Sequence, residues 1–362
     1  MKNAKTALRM LALTVLVLSA GAGVVHGQTI GEYRSNSPVA TGPWNWSNAG
    51  TWQVYGSTGW ATATTPPTSS APKIIIQSTD SVYVNAATTL TDTVYNQGIL
   101  TGGSNLTFGN GGVYQHAENG GAIPTATWGT GSTCLVTGAT SNGPSNANQN
   151  FYNFTWNCPG QSTGLNLGWS GNTISGNLTV LSTATSQFRM TNNGANSGNP
   201  ITIKILGNVI VNGGQLTPTG SGSTQSYTII DSGNIYLMSG KLYASGGSGG
   251  VVTWNCYGDT FSVANSTTLQ TSNNSSKWVF AKQGVQSFVN GGTQKYTGGI
   301  TFEVDTNATL NLGTSVIGGS SVAFALDSAA TVMTAQSTGL NGNLPKWCQQ
   351  GKELASYRRS VP

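Results

Sequence analysis

The chain has 362 residues, 50 of them glycine, and only 7% are charged. Its formal charge of +5 is concentrated at the ends, with Lys2, Lys5 and Arg9 before residue 27 and Lys346, Lys352, Arg358 and Arg359 opposed only by Glu353 after Pro345. Between them, residues 28–344 carry eight basic and nine acidic side chains, so no basic surface remains to neutralise phosphates and nucleic acid is not an expected partner.

The first element is a targeting segment. Lys2, Lys5 and Arg9 form a basic start, Leu11 to Val25 is an apolar run, and Val25 and Gly27 occupy the small-residue positions of a cleavage site. This is the pattern of a secretory signal peptide over residues 1–27, with a mature chain beginning at Gln28 and a secreted or cell-surface destination. The apolar run is short for a bilayer span, so the mature chain is expected to carry none. Beyond it no stretch shows helical periodicity. The Gly/Asn/Thr/Ser-rich composition alone would suit disorder, but ten tryptophans and regular Val/Ile/Leu alternation point to ordered β structure.

Residues 28–72 form an unusual opening. Trp44, Trp46, Trp52 and Trp60 fall within seventeen positions. Two readings stand side by side. Trp44 and Trp46, two apart, could present flat indoles on one side of a strand to sugar rings, which makes the four tryptophans candidate glycan-binding residues. Alternatively they cover the open end of a stacked β structure, whose unpaired edge needs a cap. A Pro/Thr/Ser break at Thr65–Pro72 then precedes Lys73–Gln77 and Asp80–Asn85, which read as the first strands of the body.

His116 is the one histidine after residue 27. It lies in Val113–His116 beside Glu118. A Ser-His-acid mechanism would require it, yet no Gly-x-Ser-x-Gly elbow accompanies it, and it reads as structural. Residues 138–150 form a polar loop between strands, of the kind that often makes one binding face. Of the cysteines Cys134, Cys158, Cys256 and Cys348, the first two are 24 residues apart, about one repeat, so they are a candidate disulfide. The other reading is that they are buried thiols acting as small hydrophobes. No metal-ligand spacing occurs, and neither metal nor cofactor is expected.

The repeat itself is clearest over residues 201–263. Ile201 to Leu216, Tyr227 to Leu242 and Val251 to Val263 are drifted copies of one phrase: an alternating apolar run, a Gly-Asn or Gly-Asp corner, and a second alternating run. The corner glycines Gly207, Gly233 and Gly258 are 26 and then 25 residues apart, and Gly176 begins an upstream copy. Self-similarity at this period marks a stacked architecture. A unit of about 25 residues holds two or three strands and cannot bury its apolar face alone, so units pile up at the strand spacing of about 4.8 Å. Gly and Asn suit the corner through their tolerance of left-handed backbone, and the asparagines can stack there as a ladder.

Gly31–Ser35, the Trp-rich stretch, Lys73–Ile76, Gly112–His116 with Trp128, Phe151–Pro159 and Val322–Leu326 together resemble secreted parallel β-helix proteins of Bacteroidetes-type bacteria. The resemblance spans residues 31–344 and implies a pectin-lyase-like solenoid at the cell surface. It carries no catalytic residues to this chain. From the residues themselves, the only close carboxylates on one strand face are Glu303 and Asp305, the catalytic candidates for a β-helix polysaccharide lyase or glycoside hydrolase. A solvated pair on an outer strand is the other reading.

The expected fold is therefore all-β, a single right-handed parallel β-helix over residues 73–344, on the order of 11 coils and roughly 50 Å long, behind an N-terminal cap at 28–72. Residues 345–362 lose the Gly/Asn/Thr character and are expected to be an atypical tail, truncated or frame-shifted, or else a short helix over Lys352 to Tyr357. The expected role is that of a non-catalytic, adhesin-like cell-surface or matrix protein, binding extracellular polysaccharide, cell-surface glycans or neighbouring surfaces through solenoid loops. A polysaccharide-cleaving enzyme and a purely structural spacer are the alternatives.

Overall fold

Strict alternation turns each short strand into a two-sided ribbon. Tyr227–Asp231 and Val252–Cys256 are buried at their first, third and fifth residues and half-buried between them. The buried set can be hidden only by closing the chain on itself and stacking the loops so formed. The computed structural model, which describes residues 27–37, 41–192, 199–291, 295–318, 322–344 and the strand Tyr357–Arg359, has this form. It is all-β, about 46% strand and 4% helical, and makes a parallel β-solenoid of about 10 turns. Among the described residues no helix is long and apolar enough to cross a membrane. The signal segment, apart from Gly27, and Cys348 lie outside the described residues.

The central coils are three-sided. The first face stacks Lys73–Ile76, Thr93–Asn96, Val113–His116, Thr133–Val136, Asn153–Asn157 and Leu178–Ser182, and continues through the start of Val209–Thr217 and of Ile235–Tyr243 to Thr260–Val263 and Gly284–Asn290. The second is the seven-stranded parallel sheet from Thr173–Ile174 to Val322–Leu326. The third stacks Leu165–Asn166, Phe188–Arg189, the ends of Val209–Thr217 and Ile235–Tyr243, Thr268–Gln270 and Lys295–Thr297. Val209–Thr217 serves two faces because it bends between Asn212 and Gln215, where the register shifts. Gly214 at φ 70° and its counterpart Gly240 at φ 84° supply that bend.

The corner between the second and first faces carries the Gly-Asn phrase, and its asparagines do form a ladder. Asn153 Oδ1 accepts from the Asn177 amide at 2.9 Å, Asn177 Oδ1 from Asn208 at 2.8 Å, Asn208 Oδ1 from Asn234 at 2.9 Å and Asn234 Oδ1 from Thr260 at 2.8 Å. The glycines have a different role from the one expected. Gly207, Gly233 and Gly258 are not in the left-handed region. They are needed because successive coils touch through the backbone: a Cβ on Gly233 would lie 2.1 Å from the Gly207 carbonyl oxygen, and one on Gly258 would lie 1.8 Å from that of Gly233.

The coil length is not uniform. Ile74, Val94, Tyr114, Cys134 and Phe154 follow one another in register at steps of 20, whereas Leu178 to Val209 is a step of 31. Tight turns such as Gly109–Gly112, closed by a 3.0 Å bond from Gly112 N to Gly109 O, keep the early coils short. Inside, aromatic rings stack along the axis. Phe108 lies 4.8 Å from Trp128, centroid to centroid, and Trp278 lies 5.6 Å from Phe302, both nearly parallel; such pairs add about 0.5–1.5 kcal/mol each beyond their burial. At the far end Tyr357–Arg359 adds a parallel strand to Thr331–Thr334. The tail thus contributes to the sheet at these residues, and Tyr357, expected in a helix, opens a strand.

Candidate functional site

The four tryptophans are distributed through the cap and form no common flat surface. Trp46 and Trp52 are buried, packed edge to face at 4.7 Å. Trp52 Nε1 donates to the Trp46 carbonyl oxygen at 2.8 Å, and Trp46 Nε1 donates to the Pro67 carbonyl oxygen at 3.2 Å. Trp44 is half-buried, and its indole N–H goes to Thr41 Oγ1 at 3.2 Å. Trp60 lies against Tyr55 and beneath the Arg34 guanidinium, 4.4 Å from its ring centroid. The strands they occupy explain the arrangement. Tyr33–Ser35 pairs parallel with Lys73–Ile76 on one side and antiparallel with Trp52–Gly56 on the other, and Gly59–Thr62 completes the hairpin. This hairpin covers the N-terminal edge of the solenoid. The Ser35 hydroxyl donates to buried Asp80 and fastens the two parts together.

Glu303 and Asp305 do point away from the core, since Phe302 and Val304 between and beside them are buried. Each has a partner of its own. Both oxygens of Glu303 accept from Lys277 Nζ at 2.7 Å, one coil away. Asp305 accepts from the amide of Thr306 at 2.7 Å and closes its own turn.

His116 is fully buried in a chain of hydrogen bonds. Asn96 Nδ2 donates to Tyr114 Oη at 3.0 Å, Tyr114 Oη lies 3.0 Å from His116 Nδ1, and His116 Nε2 lies 2.7 Å from the Gly120 carbonyl oxygen. The imidazole proton therefore sits on Nε2, and the tyrosine hydroxyl donates to Nδ1. Burial holds the imidazole below its usual pKa, so the ring stays neutral. Nearby, burial pushes the half-buried Glu118 carboxyl up to about 7.

Cys134, Cys158 and Cys256 are free and buried. The proposed Cys134–Cys158 bridge fails on register. The coil step here is 20, so Cys134 stacks on Phe154, and the Cys158 thiol donates instead to the Val136 carbonyl oxygen at 3.5 Å. Burial pushes the Cys158 thiol up to about 12, which keeps it protonated and unreactive. Among the described residues no group of three or more His, Cys, Asp or Glu is placed to hold a metal ion.

The polar loop 138–150 lies down on the preceding coil. Asn119 Oδ1 accepts from the backbone amides of Thr140, Ser141 and Asn142 at 2.9–3.0 Å. Asn146 Nδ2 donates to the Ile123 carbonyl oxygen at 2.8 Å, and Ala139 and Ala147 are buried.

The surfaces that run the length of the molecule are the outward sides of the faces, which the sequence reading passed over. On the first face, Ile75, Tyr95, Gln115, Leu135, Thr155, Thr179, Ile210, Tyr236, Ser262 and Val289 are in register from coil to coil. All are half-buried or exposed. At about 4.8 Å per step they make a straight row of neutral rings, amides, hydroxyls and aliphatic groups. Lys73 extends over Tyr95 with its Nζ 4.7 Å from the ring centroid. These positions are simply the off-core residues of each strand; which of them stack follows only from the unequal coil steps. No family model matches the chain, and no curated protein or solved structure matches it.

Proposed function

We propose that the protein is an exported, non-catalytic surface or matrix component, adhesin-like, that binds extended glycans along the outward side of the solenoid. The observation that carries this reading is the straight first-face row from Ile75 to Val289. A linear polymer lying along the axis meets a new side chain at every coil, and Tyr95 and Tyr236 offer rings to sugar faces while Gln115, Thr155, Thr179 and Ser262 offer hydrogen bonds. A rigid ladder-held backbone spends little ordering entropy when it binds. The basic-then-apolar start of the chain supports export, and the motif likeness to pectin-lyase-like secreted β-helix proteins supports a surface role.

Glycosidic hydrolysis needs two convergent carboxyl groups about 5 to 9.5 Å apart, one an acid and the other a nucleophile or base, and the engagement of Glu303 with Lys277 argues against its serving in such a pair. The test incubates the chain with pectins, alginates and neutral glycans. Retention without new reducing ends or unsaturated products is expected. Turnover would establish an enzyme instead, and neither retention nor turnover would leave a structural spacer.

A further inference from the structure

Asn119 is exposed and followed by Gly120. The backbone nitrogen after an asparagine can reach the side-chain Cγ by closing a five-membered ring, and a glycine offers that nitrogen with no Cβ in the way. What sets Asn119 apart is the cradle around its carboxamide. Its Oδ1 accepts from the backbone amides of Thr140, Ser141 and Asn142 at 2.9, 3.0 and 2.9 Å. Its Nδ2 donates to Ser141 Oγ at 3.2 Å. Three N–H groups converging on one carbonyl oxygen stabilise the negative charge that forms there when the carbon is attacked. The donors belong to the next coil, so only the folded stack brings them to Asn119. Asn110 and Asn212 are also exposed and followed by glycine, and neither has this cradle among the described residues.

We propose that Asn119–Gly120 is a self-modification site, at which the folded protein converts its own asparagine amide into a carboxylate. The Gly120 N–H, which donates to the Asn142 carbonyl oxygen at 3.1 Å, gives up its proton to the Glu118 carboxylate. That carboxyl lies against the same turn, its Oε1 2.1 Å from where a Cβ on Gly121 would stand. Burial raises its pKa to about 7, so proton-accepting and proton-donating forms coexist near neutrality. The bond from Gly120 N to Asn119 Cγ forms, and charge gathers on Oδ1 among the three donors. The Cγ–Nδ2 bond then breaks. The proton passes from Glu118 to the departing nitrogen, with Ser141 Oγ as relay, and ammonia leaves behind a succinimide.

Solvent water next adds to Cγ, which the same donors keep polarised. The bond to Gly120 N breaks, and that nitrogen leaves with a proton from the water. Opening at Cγ restores the normal backbone with an aspartate at position 119. In a free peptide the ring opens mainly at the other carbonyl, giving isoaspartate. The new carboxylate remains among three backbone N–H groups as a charge-assisted acceptor. The modification thus fastens the polar loop 138–150 more firmly to the coil beneath it.

The experiment incubates the full chain for days at neutral pH, folded and in denaturant. Mass spectrometry maps its peptides, with heavy-oxygen water marking each converted amide. Conversion at Asn119 is expected to be roughly tenfold or more faster in the folded chain than in denaturant, a part of what one oxyanion donor contributes. It is expected to outpace Asn110 and Asn212 of the folded chain by a similar factor, with aspartate as the main product. E118Q slows conversion several-fold, and N119D, which carries the product, melts at or above the wild-type midpoint. Conversion no faster in the folded chain than in denaturant would overturn the proposal without recourse to any variant. Isoaspartate as the main product, an unchanged rate in E118Q, or a lower midpoint for N119D would each overturn it as well.

Discussion

Gly233 and Asp231 sit two residues apart at one corner, and each tests a different part of the packing. Because a Cβ on Gly233 would meet the Gly207 carbonyl oxygen at 2.1 Å, Gly233→Ala must push two coils apart and is expected to cost about 1–3 kcal/mol, as overpacking does; chemical denaturation of the variant checks it. Asp231 is fully buried, with both carboxyl oxygens lacking a hydrogen-bond partner. Burial raises its pKa well above 3.8, and the nearby Gly233 amide offsets only part of the rise. The folded protein therefore holds this proton more tightly than the unfolded chain. The stability linked to that proton is complete below about pH 3.8 and is lost as pH rises toward the raised folded value. Asp231→Asn is expected to flatten this decline, measured as denaturation midpoints across a pH series, and an unchanged slope would refute the assignment. Neither residue's role was legible beforehand. The glycine was visible as a corner, but the reason for it is the approach of the neighbouring coil, and Asp231 looked like one of several scattered acids.

At the scale of the element, the cap and the ladder-bearing corner behave differently from a helix or an isolated hairpin. Each draws its stability from the coil beside it, so nearest-neighbour contacts dominate. The cap hairpin is anchored by Trp52, fully buried against Trp46. Trp52→Ala is expected to cost about 3–5 kcal/mol and to expose the edge of Tyr33–Ser35, with aggregation as a second symptom. Trp44→Ala, at a half-buried indole with a single bond to Thr41, is expected to change stability far less. Thermal melts and light scattering on the two variants separate them; equal effects would mean that the buried pair is not the anchor. The clustering of tryptophans announced a special opening, yet their division between interior and rim depended on the antiparallel pairing of Trp52–Gly56 with Tyr33–Ser35. A parallel repeat contains nothing that signals such a pairing.

For the whole molecule, register is the quantity that matters. A step of 20 places Cys134 on Phe154 rather than on Cys158, and a step of 31 places Leu178 on Val209. The same unequal steps assemble the first-face row. A single assumed period of about 25 could not have produced that alignment.

By itself the sequence determined that the chain is a parallel solenoid. Period-two burial within strands and a Gly-Asn phrase recurring at a similar distance over residues 201–263 are local properties, and chain stacking is the way to satisfy them. Only the tertiary structure decided which outward side chains share a row, which carboxylates are already paired and which tryptophans are interior. Those relations join residues 20 to 31 positions apart, and the loops that set the distance vary without changing the pattern inside each strand.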